Sequence, residues 1–430
     1  MKTPKTSLAS QPRAAASGRS SEPSGHPTRA SGHESGFTLI EVLVALVLSV
    51  LLLIVVYNLF EVNARISRVQ TDVAEMQQGQ RIAQHDIARI MQMAGRGGVP
   101  LGTLPEGMAL AVLDSAEEDA HINPDDDATP EVLDGTDVLI VRGVFSAPVY
   151  QSPIETGEAI TFEGATPGAS TSGELTLTSP TRAGIPQDLA AIVEAVQEGR
   201  PEALMIVSPI SDQLFAVVEL DPDASNVEDD PLNPVIAFKI TGGTHTDQYL
   251  QLTPGGAFPD TLLSYAHIGL LEEYRYYVRE VMAGEELVPV LSRARVYPGT
   301  QEPWNGDAAN WAVDMVDNMF DLQLAIGIDG DGDGAVTDGA LEDGGDMVAD
   351  EWLYNATGDD DEEARWGTGT LMYLRATSLI RSERRDRGYL APELELVENH
   401  DYDGSPLNED RELWFRRRSV STTVDLRNAG

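Results

Sequence analysis

A run of apolar residues near the N-terminus constrains this chain more than any other feature. Residues 36–60 read GFTLIEVLVALVLSVLLLIVVYNLF. Between Val42 and Val56 there is no charged side chain, and Ser49 is the only polar one. About 20 such residues in a helix cross the hydrocarbon core of a bilayer, because a helix satisfies its backbone N–H and C=O groups internally. The run therefore predicts a membrane-spanning helix. Glu41 is its anomaly. A carboxylate inside an apolar span is costly, so it marks function and implies a cationic partner.

The flanks orient the span. Residues 1–36 hold five basic residues (Lys2, Lys5, Arg13, Arg19, Arg29) and two acidic ones (Glu22, Glu34). A basic leader before an apolar span predicts a cytoplasmic N-terminus, with the bulk of the chain across the membrane. Residues 1–35 are rich in Ser, Pro, Gly and Ala, show no hydrophobic period, and read as a disordered leader. The whole chain carries a net charge of −41 over 430 residues, and residues 37–430 alone carry −44. That balance excludes nucleic-acid binding through a basic patch. There is no cysteine, so any staple is packing or metal.

Gly36-Phe37-Thr38-Leu39-Ile40-Glu41 followed by this apolar block resembles the class III signal of type IV prepilins and type II secretion pseudopilins. The resemblance implies cleavage between Gly36 and Phe37 by a prepilin peptidase and N-methylation of Phe37. It also implies that Glu41 pairs with the N-terminal amine of a neighbouring subunit during assembly. The physical logic agrees: an amine and a carboxylate, each costly alone among apolar helices, neutralise one another across two subunits and set the register. An ordinary signal anchor explains the apolar run but leaves Glu41 without a role.

After Phe60 the helical pattern turns amphipathic. Val62, Ile66, Val69, Val73, Met76, Ala83, Ile87, Ile90 and Ala94 follow a 3–4 spacing that Gln80 breaks once. Gly95-Arg96-Gly97-Gly98-Val99-Pro100 stops the helix. Four segments are thus expected: a leader at 1–36, a transmembrane half-helix at 37–60, an amphipathic half-helix at 61–97, and a β-rich periplasmic head at 98–430. The predicted fold class is α+β, pilin-like, with one long N-terminal helix packed on that head. Strands are predicted at Asp137–Val144, Glu174–Thr178, Ala203–Val207, Leu214–Leu220, Val235–Ile240, Glu273–Glu280, Leu287–Tyr297, Met319–Ile328, Leu371–Arg381 and Val420–Leu426. A short helix is predicted at Leu189–Glu198 with Asp188 as N-cap. Asn123–Asp127 and Asp221–Asp230 read as loops.

Three later segments are similar to segments of PilW-like minor pilins. They are Asp134–Arg142 (DGTDVLIVR), Leu374–Ser382 (LRATSLIRS) and Phe415–Asn428 (FRRRSVSTTVDLRN). With the chain's size they favour a PilW-like minor pilin over the smaller pseudopilin GspJ. This resemblance implies a periplasmic head that later stands at the pilus tip on the cell surface. The implied partners are other minor pilins, the major pilin, prepilin peptidase, an inner-membrane assembly platform with its cytoplasmic ATPase, and a large tip adhesin. A third reading, from a different class, is a membrane-tethered calcium-dependent binding protein that does not polymerise.

Asp329-Gly330-Asp331-Gly332-Asp333-Gly334-Ala335 is the metal candidate. Calcium takes six to eight oxygens, and acidic residues at alternate positions round a glycine turn converge on one ion. Asp329, Asp331 and Asp333 have the 1, 3, 5 spacing, and the Ala335 carbonyl stands at the seventh position. The twelfth position is Ala340 where an EF-hand has Glu, so Asp338, Glu342, Asp343 or Asp346 must complete the shell. A solvated acidic turn is the alternative. Asp401, Asp403 and Asn408 form a weaker oxygen cluster. No HExxH helix, GxSxG elbow or phosphate loop is present. Carboxylate pairs such as Glu272-Glu273 are expected by chance among 70 Asp and Glu, so no enzyme activity is expected.

Overall fold

The computed structural model describes residues 37–426 except 100, 102–108, 118–119, 124–128, 146–149, 152–158, 162–171, 177–188, 209–214, 228–234, 254–255, 257–260, 264–266, 285, 331, 338–350, 356–368 and 410. The chain is α+β: a long N-terminal helix, then a head of several antiparallel sheets. It divides into two compact units, residues 1–65 and 66–430.

The described part of the first unit is the apolar stretch of α1 (Leu39–Gln92). Its large side chains are exposed throughout, from Leu39 at 86 % to Phe60 at 69 %. The lone polar side chain, Ser49, donates its hydroxyl to the Ala45 carbonyl at 2.7 Å, so the helix satisfies it internally.

In the second unit α1 supplies one wall of the core. Met76, Gln80, Ala83, Ile87, Ile90 and Met91 are buried at the 3–4 spacing of one helix face. Burial begins at Met76, and Ile66 stays exposed although it continues the same stripe. Gln80 lies on the stripe rather than interrupting it. It is buried, and neither amide atom finds a hydrogen-bond partner. The glycine-rich stop works as expected. Gly95, Gly97 and Gly98 all take positive φ, and a Cβ on Gly97 would stand 2.6 Å from a Val144 methyl.

Then come β1 (Leu110–Leu113), β2 (Val138–Gly143), β3 (Tyr150–Gln151), β4 (Ala159–Thr161), β5 (Ser172–Thr176), α2 (Ala190–Gln197), β6 (Ala203–Val207), β7 (Phe215–Asn226) and β8 (Val235–Lys239). A short α3 (Thr246–Gln251) leads to β9 (Thr261–Leu263), β10 (His267–Leu270), β11 (Glu272–Ala283), β12 (Glu286–Val296), β13 (Val313–Asp317) and β14 (Met319–Asp329). β15 (Trp352–Leu353), β16 (Thr370–Arg381), β17 (Leu396–Val397), β18 (His400–Asp401) and β19 (Arg417–Asp425) follow. The larger sheets run β1-β2-β11-β12-β13, β3-β10-β6-β7-β8-β5 and β15-β14-β16-β19. One core joins α1 to the inner faces of all three sheets through residues such as Leu139, Met205, Val278 and Leu324. A second core lies between α2 and the six-stranded sheet.

Two local expectations change. Asp221–Asp230 reads as a loop, but β7 continues to Asn226. Ser225 explains this. Its hydroxyl donates to the Asp221 carbonyl at 2.7 Å and accepts the Ala237 N–H at 2.8 Å, standing in for a ladder partner at a bulge. The expected N-cap Asp188 lies outside the described residues. Leu189 occupies the cap position of α2 without a side-chain bond.

The centre of the five-stranded sheet is a buried ion triad. Arg142 of β2 and Glu273 of β11 are cross-strand partners, and Arg142 Nε donates to Glu273 Oε2 at 2.6 Å. Arg275 Nε donates to Glu273 Oε1 at 2.8 Å, and the Gly299 N–H donates to Oε2 at 2.8 Å. Arg275 also reaches the carbonyls of Ile122 and Thr300 at 3.1 and 2.8 Å. Burial pushes the Glu273 carboxyl up, but Arg142 and Arg275 together outweigh it and hold its pKa at about 2, below the ordinary 4.5. A depressed carboxylate adds stability that is complete above its unfolded value. That contribution is therefore lost as pH falls from about 4.5 towards about 2. Glu273→Ala removes the buried carboxylate that neutralises both guanidinium groups and is expected to cost about 3–5 kcal/mol in denaturant unfolding at pH 7. Its unfolding free energy should also fall less steeply between those pH values than that of the parent chain. An equal slope in both proteins would rule out Glu273 as the titrating group.

Candidate functional site: the entry of the apolar helix and the acidic loop

Helix α1 starts where its sequence lets it cap itself. Thr38 precedes the first helical residue, and Glu41 is the third residue of the helix. The Glu41 N–H donates to Thr38 Oγ1 at 3.3 Å, and the Thr38 N–H donates to Glu41 Oε2 at 2.9 Å. The Thr38 hydroxyl donates to the same oxygen at 3.0 Å. These reciprocal bonds are a capping box, which satisfies two backbone donors that a helix entrance otherwise leaves open. The carboxylate also lies at the positive end of the helix dipole. Glu41 therefore has a local partner, Thr38, that sequence reasoning missed. The signal was present in the Thr-x-x-Glu spacing. Phe37, at 85 % exposure, stands immediately outside the box, and Gly36 lies outside the described residues. The bond between Gly36 and Phe37 takes no part in the three bonds between Thr38 and Glu41.

The acidic loop follows β14 directly. Asp329 is buried, and its two oxygens accept the N–H groups of Gly332 and Gly334 at 2.7 and 2.9 Å. Asp333 Oδ1 accepts the Ala335 N–H at 2.8 Å. Gly332 and Gly334 take φ of 79° and 85°, which the tight turn requires. Glu351, far along the chain and unmarked by any motif, closes the loop: it accepts the N–H groups of Gly330 and Thr337, each at 2.8 Å. Of the predicted ligands, Asp329 and Asp333 turn their carboxylates to backbone N–H groups of the loop, Ala335 among them, whereas Asp331 and Asp338 lie outside the described residues. Among the described residues no group of three His, Asp or Glu side chains is arranged to hold a metal. The donors that are present are hard oxygens on a glycine turn, which fits calcium in kind. Asn408 spends its amide on the backbone of Leu394 and Tyr402.

The segments at Asp134–Arg142 and Leu374–Ser382 build seams rather than sites. Asp137 is fully buried, and its carboxylate accepts the N–H groups of Ser115 and Leu324 at 2.9 and 2.6 Å, tying β2 to β14. Burial and the nearby Asp114 carboxylate push its pKa well up. Arg375 grips Glu398 through two nitrogens and lies 4.3 Å from the Trp352 ring, while Thr377 donates to Glu398 at 2.6 Å.

The model described as "Prokaryotic N-terminal methylation motif" matches residues 32–57. The match covers Gly36, Phe37, the capping box and nearly all of the apolar span. This motif supports a type IV pilin-like or pseudopilin subunit. With the apolar helix it points to anchoring in a membrane by the N-terminal helix, to processing by a prepilin peptidase, and to assembly with other pilins. No curated protein and no solved structure matches the chain.

Replacing Thr38 by Val removes the hydroxyl that both gives and takes a bond in the box. The helix entrance is expected to lose about 1 kcal/mol. Amide hydrogen exchange at Glu41, measured in detergent micelles, should speed up about fivefold.

Proposed function

We propose that this protein is a PilW-like minor pilin that primes or caps type IV pilus assembly at the tip. The observation that carries this reading is a prepilin methylation motif on a helix whose apolar half is uncovered within the chain and opens on a capped glutamate. Prepilin peptidase cuts between Gly36 and Phe37, and Phe37 is then N-methylated. The subunit waits in the inner membrane with its N-terminus cytoplasmic and its head periplasmic. It joins other minor pilins, and then the major pilin, through parallel packing of apolar helices. Glu41 meets the amine of a neighbouring Phe37, and the assembly platform and its ATPase drive the polymer outward. The three PilW-like segments support a minor pilin over a GspJ-like pseudopilin. The protein works by assembly and not by catalysis.

N-terminal mass spectrometry of native membranes and of sheared surface filaments tests this. A methylated Phe37 terminus is expected in both fractions, and Glu41→Ala should keep the membrane signal while removing the filament signal. A leader still attached, or equal incorporation of the variant, would sink the reading.

We also propose that the loop at 329–338 binds calcium. Asp329, Asp331, Asp333, the Ala335 carbonyl and Asp338 would hold the ion. The ion would supply a structural cross-link within the head and no chemistry. Support comes from the oxygen donors and the preformed glycine turn. Calorimetric titration of the full-length processed protein with calcium chloride should give one site that Asp329→Asn weakens at least about tenfold. Absence of heat in both proteins would leave a solvated acidic turn.

A further inference from the structure

Two adjoining cavities flank α1 in the second unit and share Gln78 and Ile82. One, of about 520 Å³, opens between α1 and the ends of β11, β12 and β13, with Met76, Val281, Val288, Val290 and Val316 among its lining. The other, of about 680 Å³, is lined by α1 and Met315 of β13. Ile82 belongs to both and is 46 % exposed, on a helix face it shares with the exposed Gln78 and His85. Together they form an apolar groove beside α1, along the free edge strand β13.

The groove's rim has a strong sign. Asp72, Glu75, Asp314, Asp317 and Glu383 border the first cavity with Arg381, and Asp86 borders the second with Arg81 and His85. Carboxylates thus outnumber guanidinium groups six to two along the groove, with Asp314 already paired to Arg279 at 2.7 Å. Arg381 is already paired with Glu412 at 2.9 Å. A low-dielectric trough with carboxylates at its lip concentrates negative potential and selects cations. An Arg or Lys can lay its alkyl stem on the apolar floor and bring its charged head to that lip. The same rim repels anionic lipid headgroups, and a chain of net charge −41 is a poor match for a second copy of itself.

The edge strand narrows the occupant further. β13 carries Asp314 and Asp317, its ladder with β12 is bulged between Leu291 and Ser292, and Asn318 after it has φ of 62°. Charges and bulges on an edge oppose the addition of another strand. A helix laid parallel to a groove makes no such demand, since its backbone bonds are internal.

We propose that this groove seats a basic amphipathic helix of a different protein, with apolar residues at i, i+3 or i+4 facing Ile82 and Arg or Lys facing Glu75 and Asp317. The proposal rests on the assembly reading and names the chemistry of the neighbour. The test places a photoreactive amino acid at position 82 of the full-length chain in its native membrane and maps the adduct by mass spectrometry. Incorporation into sheared filaments is scored in parallel. The expected adduct is a helical peptide rich in Arg or Lys from another protein. Its yield should fall at least about tenfold in Glu75→Lys/Asp317→Lys, two exposed positions, and partly in Glu75→Gln/Asp317→Asn. An adduct to a second copy, to lipid or to an acidic peptide overturns the proposal, as does no adduct or a yield indifferent to charge reversal. A basic-helix adduct on protein that never enters filaments would preserve the groove and remove the assembly reading instead.

Discussion

The head depends on one buried carboxylate. Glu273 is fully enclosed and yet ionised, because Arg142, Arg275 and the Gly299 amide meet both of its oxygens. A buried ion pair is weak evidence of net stability, since desolvation offsets much of the attraction. Its sharper effect here is on register. Glu273 faces Arg142 directly across the β2–β11 ladder. A slip of one residue would turn Glu273 to the other face and strand three charges in the interior. The triad also holds the carbonyls of Ile122 and Thr300, so two connections are fastened to the same centre. The wall against which α1 packs is therefore positioned by charge and filled by apolar contact.

Most of the architecture was legible where apolar runs are long. Val138–Gly143, Ala203–Val207 and Met319–Asp329 lie at or within a residue or so of where their β-branched and apolar residues place them. The helix was legible from its period and its glycine stop. Short or polar strands were not: β13 reads Val-Asp-Met-Val-Asp, and only pairing with β12 makes it a strand. Glu272 and Glu273 looked like one carboxylate pair. As strand neighbours they point to opposite faces, where Glu272 meets Arg295 and Tyr274 while Glu273 meets the triad. Glu351 was invisible because its loop partners are about 14 to 21 residues away and no local pattern marks the closure.

The segments that carry the PilW-like resemblance turn out to sit at seams. Asp137 joins the five-stranded sheet to β14, Arg375 and Thr377 hold Glu398, and Thr422 accepts a bond from Gln84 of α1 at 2.9 Å. Polar residues at such places have little freedom, because a buried polar group left unpaired is expensive. A likeness confined to them speaks to how the head is joined together. It leaves the surfaces that meet other molecules to be read from exposure and charge.

Glu41 and Glu273 pose the same physical problem in different solvents. Glu273 is enclosed by protein, and the chain supplies cations on both sides. Glu41 lies in the first turn of a helix whose neighbouring side chains are all exposed within the chain. Among the described residues its carboxylate accepts bonds from Thr38 alone, both to Oε2. Thr38 fixes the rotamer and the helix entrance, but a neutral hydroxyl and one amide do not neutralise a carboxylate. In water that residue of charge is solvated. In hydrocarbon it is not, and the remaining oxygen, one turn from Phe37, needs a donor. Cleavage before Phe37, as proposed, would create a cation at that level of the helix in every processed copy. The capping box thus supplies what a shared amine cannot, a fixed direction for the carboxylate before any neighbour arrives, and it leaves unmet what a neighbour's amine can provide.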